Sequence, residues 1–233
     1  MKRVMAMLLA FVMAVANAAL ADDTIQIKGS DTLINLVQKL AEEYMHKNYG
    51  TAIAVTGGGS GTGVAALINK KCDIANASRQ MKSSEVEKAA ESGVNVKRVV
   101  VAFDGLSVIV NGGNPVSRLT VDQIGKIFSG DIKNWSEVGG ENSPITLYGR
   151  QSNSGTFSFF REAVVKKDYA GSMNRMNGNA QIVEAIKSDP SGIGYVGVGY
   201  VRDAYGITVL KIALREGGTY ASPLNSEDVK TGV

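Results

Sequence analysis

A chain of 233 residues, 44% hydrophobic and 20% charged, holds enough apolar material for one large domain or two modest ones and too much for a disordered segment. Its 25 Lys and Arg nearly balance 22 Asp and Glu, which leaves no basic footprint for nucleic acid or an anionic membrane surface. One cysteine, Cys72, excludes an internal disulfide, so the core must stand unaided.

Residues 1–21 read as a cleavable secretory signal. Lys2 and Arg3 make a basic start, residues 4–16 an apolar run, and Ala19-Leu20-Ala21 a small-x-small cleavage site before Asp22-Asp23. The apolar run is short for a membrane span. Cleavage removes two bases and no acids, leaving 23 against 22, so an anion that binds here must be attracted by local geometry. The signal does not end in a cysteine that could carry a lipid. Export without an anchor points to the periplasm of a double-membraned bacterium.

The remaining chain alternates strands and helices. "TIQIKG" (24–29) reads as a strand, and Leu33, Leu36, Val37, Leu40 and Tyr44 mark one helical face after it. "AIAVT" (52–56) is a second strand, with Val64, Leu67 and Ile68 opening a second helix. "CDIANA" (72–77) is a third strand, followed by a polar helix over 84–92. Repeated βα units predict an α/β domain with a parallel or mixed sheet. The apolar run "VKRVVVAFDGLSVIVN" (96–111) is too long for one ordinary strand. Two strands meeting at Asp104-Gly105 are expected, and with them a crossover between domains. A second series follows: a helix through Val121, Ile124, Ile127 and Phe128, the strand "ITLYG", a helix through Phe157, Phe160 and Val164, and "GIGYVGVGYV" (192–201) as a buried strand and turn.

Three strand-to-helix junctions share a chemistry. "GSDTLINLV" (29–37), "VTGGGSGTGVAALI" (55–68) and "GRQSNSGTFSFF" (149–160) all pass through Gly, Ser and Thr into an amphipathic helix, and Ser60-Gly61-Thr62 recurs as Ser154-Gly155-Thr156. Helix capping explains a hydroxyl at any one of them. It does not explain Gly57-Gly58-Gly59. Unpaired first-turn N–H groups and the helix dipole also attract an anion, glycines let it come close to the backbone, and hydroxyls add rotatable donors. Three such ends could surround one small tetrahedral oxyanion. Gly58 and Gly63 have P-loop separation, but Val64-Ala65 replaces the Lys-Ser/Thr pair, and Thr62 stands where a Rossmann fingerprint needs its third glycine. Arg150 precedes the third junction. It is either a surface arginine or a fork for two oxyanion oxygens. Asp104 either shapes its Asp-Gly turn or, if buried near the anion, repels any ligand without a proton to donate.

These segments, together with "LTVDQIGKIFSGDIKNWSEVGG" (119–140) and "DPSGIGYVGVGYV", closely resemble the periplasmic phosphate-binding proteins that serve ABC phosphate importers. The likeness covers nearly the whole chain after the signal. It implies a two-lobe periplasmic-binding-protein fold of α/β class, each lobe a mixed sheet flanked by helices, with the ligand in the cleft at the hinge. Lobe 1 is then expected over 22–104, lobe 2 over 105–200, and a return to lobe 1 over 201–233, where the chain stops short of the structure that completes that lobe in relatives. The resemblance also carries over ligand residues. These are Thr32 and Leu33 in the first loop, Ser60 in the second, and Arg150, Ser154, Gly155 and Thr156 in the third. Ser30, Asp31, Gly61 and Ser78 adjoin them. Relatives often place an acid where Arg79 follows Ala77-Ser78, so Asp104, then Asp31, become the candidates for the carboxylate that accepts the phosphate proton.

The implied protein is a monomeric receptor for inorganic phosphate that hands its ligand to the membrane permease of an ABC transporter. It is not an enzyme, and it needs no cofactor or metal. A receptor for sulfate, molybdate or tungstate is the alternative that Arg79 keeps open. A phosphate-ester hydrolase has less behind it. Ser60 lacks the Gly-x-Ser-x-Gly elbow, His46 is expected to be a solvated helix residue, and no His/Cys/carboxylate cluster has metal-ligand spacing. An interaction protein without a small ligand is the third possibility.

Overall fold

The computed structural model describes residues 24–225 and 227–228; the signal segment 1–21 lies outside them. Strand β1 (Thr24–Gly29) forms as the alternation of Ile25 and Ile27 predicts, and it is the middle of a three-stranded sheet. β2 (Ala52–Thr56) and β3 (Ile74–Asn76) lie on either side, both parallel to it. Helices α1 (Ile34–Lys47), α2 (Ser60–Ile68) and α3 (Ser83–Glu91) connect and flank these strands. The apolar face expected on α1 is only partly covered. Val37 and Ala41, one turn apart, are buried, whereas Leu36, Leu40 and Tyr44 stay exposed. A sheet three strands wide covers a stripe of that helix and not its whole apolar face.

The run 96–111 also divides differently from expectation. Only its second half is a strand, β4 (Leu106–Asn111); residues 94–105 take no regular structure, and Val99, Val100, Val101 and Phe103 are exposed. β4 enters a second sheet of order β7-β6-β8-β4-β9, with β6 (Thr146–Arg150), β7 (Asn174–Met176), β8 (Gly192–Gly197) and β9 (Ile207–Val209). β6 runs parallel to β7 and β8, and β4 antiparallel to β8 and β9, so this sheet is mixed while the first is parallel. β5 (Arg118–Thr120) pairs in parallel with β10 (Lys211–Ala213).

Alternate residues of β4 feed two cores, because successive strand side chains point to opposite faces. Val108 and Val110 join Phe128, Trp135, Phe160, Tyr169 and Tyr195 on one face. Ile109 joins Ile182, Val183 and Ile186 of α6 (Asn179–Ser188) on the other. Helix α4 (Val121–Ser129) covers the first face, capped by the Thr120 hydroxyl and stopped by left-handed Gly130. α5 (Gly155–Phe160) runs on into a π-helical turn over Arg161–Val165. The return to lobe 1 expected of residues 201–233 is not what the described part does. β9 and β10 pair with β4 and β5, and Ala221 bridges back to Ile212, so the segment stays with the second lobe.

Candidate functional site

The three Gly/Ser/Thr junctions lie against one another, and they are not capped alike. Ser154 Oγ accepts the Phe157 N–H at 3.3 Å, an ordinary cap on α5. α1, whose first turn follows Leu33, and α2, which follows Gly59, have no side-chain cap. Their hydroxyls turn toward one another instead. Thr32 Oγ1 lies 2.6 Å from Thr156 Oγ1, Thr156 Oγ1 lies 3.5 Å from Ser78 Oγ, and Ser78 Oγ lies 3.2 Å from Ser60 Oγ. Ser60 Oγ also accepts the Ser78 N–H at 3.1 Å. This makes a row of four hydroxyls, three from the first lobe and one from the second. Ser60, Ser154 and Thr156 are buried, as is Ser30, whose N–H is bonded to the Asn76 carbonyl. Gly155 must lack a side chain, because a Cβ there would collide with the Ser60 and Ser78 hydroxyls.

Arg150 ends β6 beside this row and is only 1% exposed. Its Nη2 donates to the Asn177 carbonyl at 2.8 Å, whereas Nε and Nη1 are buried without a hydrogen-bond partner among the described residues. Its counter-charge is Asp31, 3.4 Å from Nη1 and carried by the other lobe. Burial lowers the Arg150 pKa and the Asp31 charge opposes that shift. Asp31 Oδ2 in turn accepts the backbone N–H of Asn179 at 2.8 Å and its Nδ2–H at 2.7 Å, while the Tyr200 hydroxyl donates to the Asp31 carbonyl at 2.7 Å. Tyr200 is pushed up to about 12, mainly by burial and then by Asp31. The junctions therefore bring together one buried cation, one balancing carboxylate and a set of neutral hydroxyls.

Other expected residues stand apart from this row. Arg79 forks onto Glu85, with Nη1 and Nη2 at 2.8 and 2.7 Å from the two carboxylate oxygens, so its guanidinium is spent on α3. That bond lowers the Glu85 pKa and raises that of Arg79. Asp104 accepts the Gly105 N–H at 2.9 Å, in a segment without a turn, and makes no hydrogen bond to the hydroxyl row. Its Oδ2 adjoins Gly197, whose other neighbour is Thr32; burial raises the Asp104 pKa although the residue as a whole is exposed. The Gly61 N–H is taken by the Asn153 carbonyl at 2.8 Å. His46 is exposed and Cys72 buried. Among the described residues there is no group of three His, Cys, Asp or Glu able to hold a metal, and no helix long and apolar enough to cross a membrane.

Sequence reasoning missed Asn179. It is fully buried at the start of α6, bonds Asp31, lies 3.4 Å from Thr32 Oγ1 and accepts the Gly197 N–H. The signal was present in "NGNAQIVEAI", where Ile182, Val183 and Ile186 give helical spacing after Gly178-Asn179, a fourth glycine-led helix start.

The chain belongs to the PBP superfamily, whose domain model matches residues 14–231. It is 34% identical over 206 residues to the phosphate-binding protein PstS of Pseudomonas aeruginosa, covering 82% of this chain and 63% of that protein. It is also 34% identical over 185 residues to protein SphX of Synechococcus elongatus, covering 76% and 55%. The chain thus spans somewhat over half the length of these relatives. Among solved structures, one from Clostridium perfringens holds bound phosphate and is assigned as a phosphate ABC transporter substrate-binding protein. It superposes with a TM-score of 0.78 at 28% identity, over 89% of this chain and 80% of that one. An ABC-type phosphate transport receptor from Vibrio cholerae gives 0.62 at 29%, over 81% and 76%.

Proposed function

We propose that this chain is the solute receptor of an ABC phosphate importer, exported to the periplasm as a monomer, and that it holds one inorganic phosphate between its lobes. The observation that carries the reading is Arg150, buried with two nitrogens lacking hydrogen bonds, beside a row of hydroxyls drawn from both lobes. Arg150 forks onto two phosphate oxygens. Thr32, Ser60, Ser154 and Thr156, with the first-turn N–H groups at Leu33 and Gly155, donate to the others. Ser30, Asp31, Gly61 and Ser78 shape the loops that present these donors, and Arg79 serves α3 only. Because Asp31 already balances Arg150, the ligand is held by hydrogen bonds in a nearly neutral pocket. Asp104, one glycine away from Thr32, accepts the proton that phosphate keeps near neutral pH and sulfate lacks. Sulfate would turn only lone pairs toward that carboxylate and bind more weakly than phosphate. The names of the relatives, the phosphate in the Clostridium perfringens structure and the lack of a nucleophile–base pair at Ser60 favour this receptor over a hydrolase.

The test is calorimetric titration of protein unfolded and refolded in phosphate-free buffer. Saturable one-to-one binding of phosphate that excess sulfate does not displace is expected, and Arg150→Met should weaken it about 100-fold or more. Asp104→Asn should erode the preference for phosphate over sulfate while leaving phosphate binding measurable. No binding by folded protein, or preferential binding of sulfate, would overturn the reading.

A further inference from the structure

The glycines of "TGGGSGTG" have an occupant made of protein. Asn153, from the second lobe, lies against this first-lobe loop. Its carbonyl accepts the Gly61 N–H at 2.8 Å, and its Nδ2 donates to the Gly58 carbonyl at 2.9 Å and lies 3.2 Å from Thr62 Oγ1. A Cβ on Gly59 would stand 2.9 Å from the Asn153 carbonyl oxygen and one on Gly61 3.1 Å from it; Gly59 also has φ +99°. Thr62 Oγ1 donates to the same Gly58 carbonyl at 2.9 Å, which shapes the loop that receives the amide. The loop is therefore a socket for one residue of the opposite lobe, its glycines against the Asn153 backbone and its Gly58 carbonyl on the Asn153 amide.

We propose that Asn153 is a closure latch: a positioning residue that sets the balance between open and closed lobes, and so the residence time of the ligand, without touching the ligand. None of its hydrogen bonds involves Thr32, Ser60, Ser78, Arg150 or Thr156. It sits on one flank of the hydroxyl row, and the Asp31–Asn179 bonds sit on the other. The two contacts therefore bracket the site, and losing either lets the lobes part about the other. Contacts made only in the closed form add to closed-state stability and slow release by the same factor, whatever anion is inside. The residence-time half of this inference rests on the phosphate reading. The latch itself does not.

The experiment compares the full chain with Asn153→Ala and Asn153→Asp. Asp keeps the size of Asn but turns an acceptor toward the Gly58 carbonyl, so a space-filling role predicts wild-type behaviour for it and a latch predicts the Ala phenotype or worse. In both variants, chase of labelled phosphate should show release faster by roughly 3- to 10-fold, with the phosphate-to-sulfate affinity ratio unchanged. Small-angle scattering of the ligand-free variants should show a larger radius of gyration than wild type. Unchanged release and unchanged dimensions in both variants would overturn the latch, as would an Asp variant that behaves as wild type. If the wild-type protein binds no phosphate, the receptor reading fails, and the scattering comparison still decides the latch by itself.

Discussion

The two lobes solve the same packing problem to different degrees. In the second, a five-stranded sheet is covered on both faces, and rings of Phe128, Phe160, Tyr169 and Tyr195 meet edge-on or stacked, the Phe160–Tyr195 pair at 4.0 Å. In the first, three parallel strands leave Leu40 51% exposed on its helix, and the run from Val99 to Phe103 lies uncovered, Phe103 at 96%. The difference maps onto the site. The second lobe contributes Arg150 and the capped start of α5, while the first contributes two uncapped loops, of which Thr32 pairs across the cleft with Thr156 and Ser60 pairs with Ser78 of its own lobe. On the receptor reading proposed above, the better-packed second lobe is expected to hold its donors in place while the first lobe adjusts on closure.

Truncation mutants probe this asymmetry most strongly. Phe160→Ala should cost about 3–5 kcal/mol by urea unfolding, because it removes a stacked ring from a packed core. Leu40→Ala should cost no more than about 0.5 kcal/mol, since half its surface already meets water. Similar costs at the two positions would break the comparison. Next in size is Gly63→Ala, expected to cost about 1–3 kcal/mol. There a Cβ would collide with the Lys28 carbonyl and stand 2.6 Å from Gly29 Cα, so even the looser lobe has one point where α2 presses directly on β1.

Smaller and dependent on pH is the Arg79–Glu85 pair, whose side chains are mostly buried. Glu85 has a lowered folded pKa, so its share of stability is present above its unfolded value near 4.3 and is lost as pH falls through the lower folded value. Glu85→Gln should therefore cost about 1 kcal/mol at neutral pH, and the gap from wild type should close in acid. A gap that persists at acid pH would mean that packing, and not charge, ties α3 to residue 79.

Local pattern carried much of the fold. The bounds of β1 and β2 follow directly from "TIQIKG" and "AIAVT", and Thr120 with Gly130 punctuates α4 as a cap and a left-handed stop. Short strands such as β7 and β10, of three residues each, were not legible, because pairing with β6 and β5 makes them strands and their composition does not. Junction chemistry and the family likeness singled out Thr32, Ser60, Arg150 and Thr156, and the fold brings Thr32, Ser60 and Thr156 into one row. Two asparagines escaped. Asn153 and Asn179 make contacts 91 to 148 residues away in the chain; the glycine-led helix start marks where Asn179 stands but not that its side chain reaches the other lobe. The glycines of 57–63 were expected to admit an anion to the backbone; what stands against Gly59 and Gly61 is Asn153, and against Gly63 the backbone of Lys28 and Gly29.

The tyrosine pair behind the site has a metrological consequence. Tyr195 Oη accepts the Arg150 N–H at 3.2 Å and lies 3.2 Å from Tyr169 Oη, which donates to the Phe157 carbonyl at 2.9 Å. The strand end that bears the guanidinium and the helix turn that bears Ser154 and Thr156 are thus both screwed to one aromatic jig, whose rings neither bend nor stretch. On the phosphate reading proposed above, this fixes the spacing between the guanidinium and the hydroxyls of the second lobe, and the expected consequence is discrimination among anions by size.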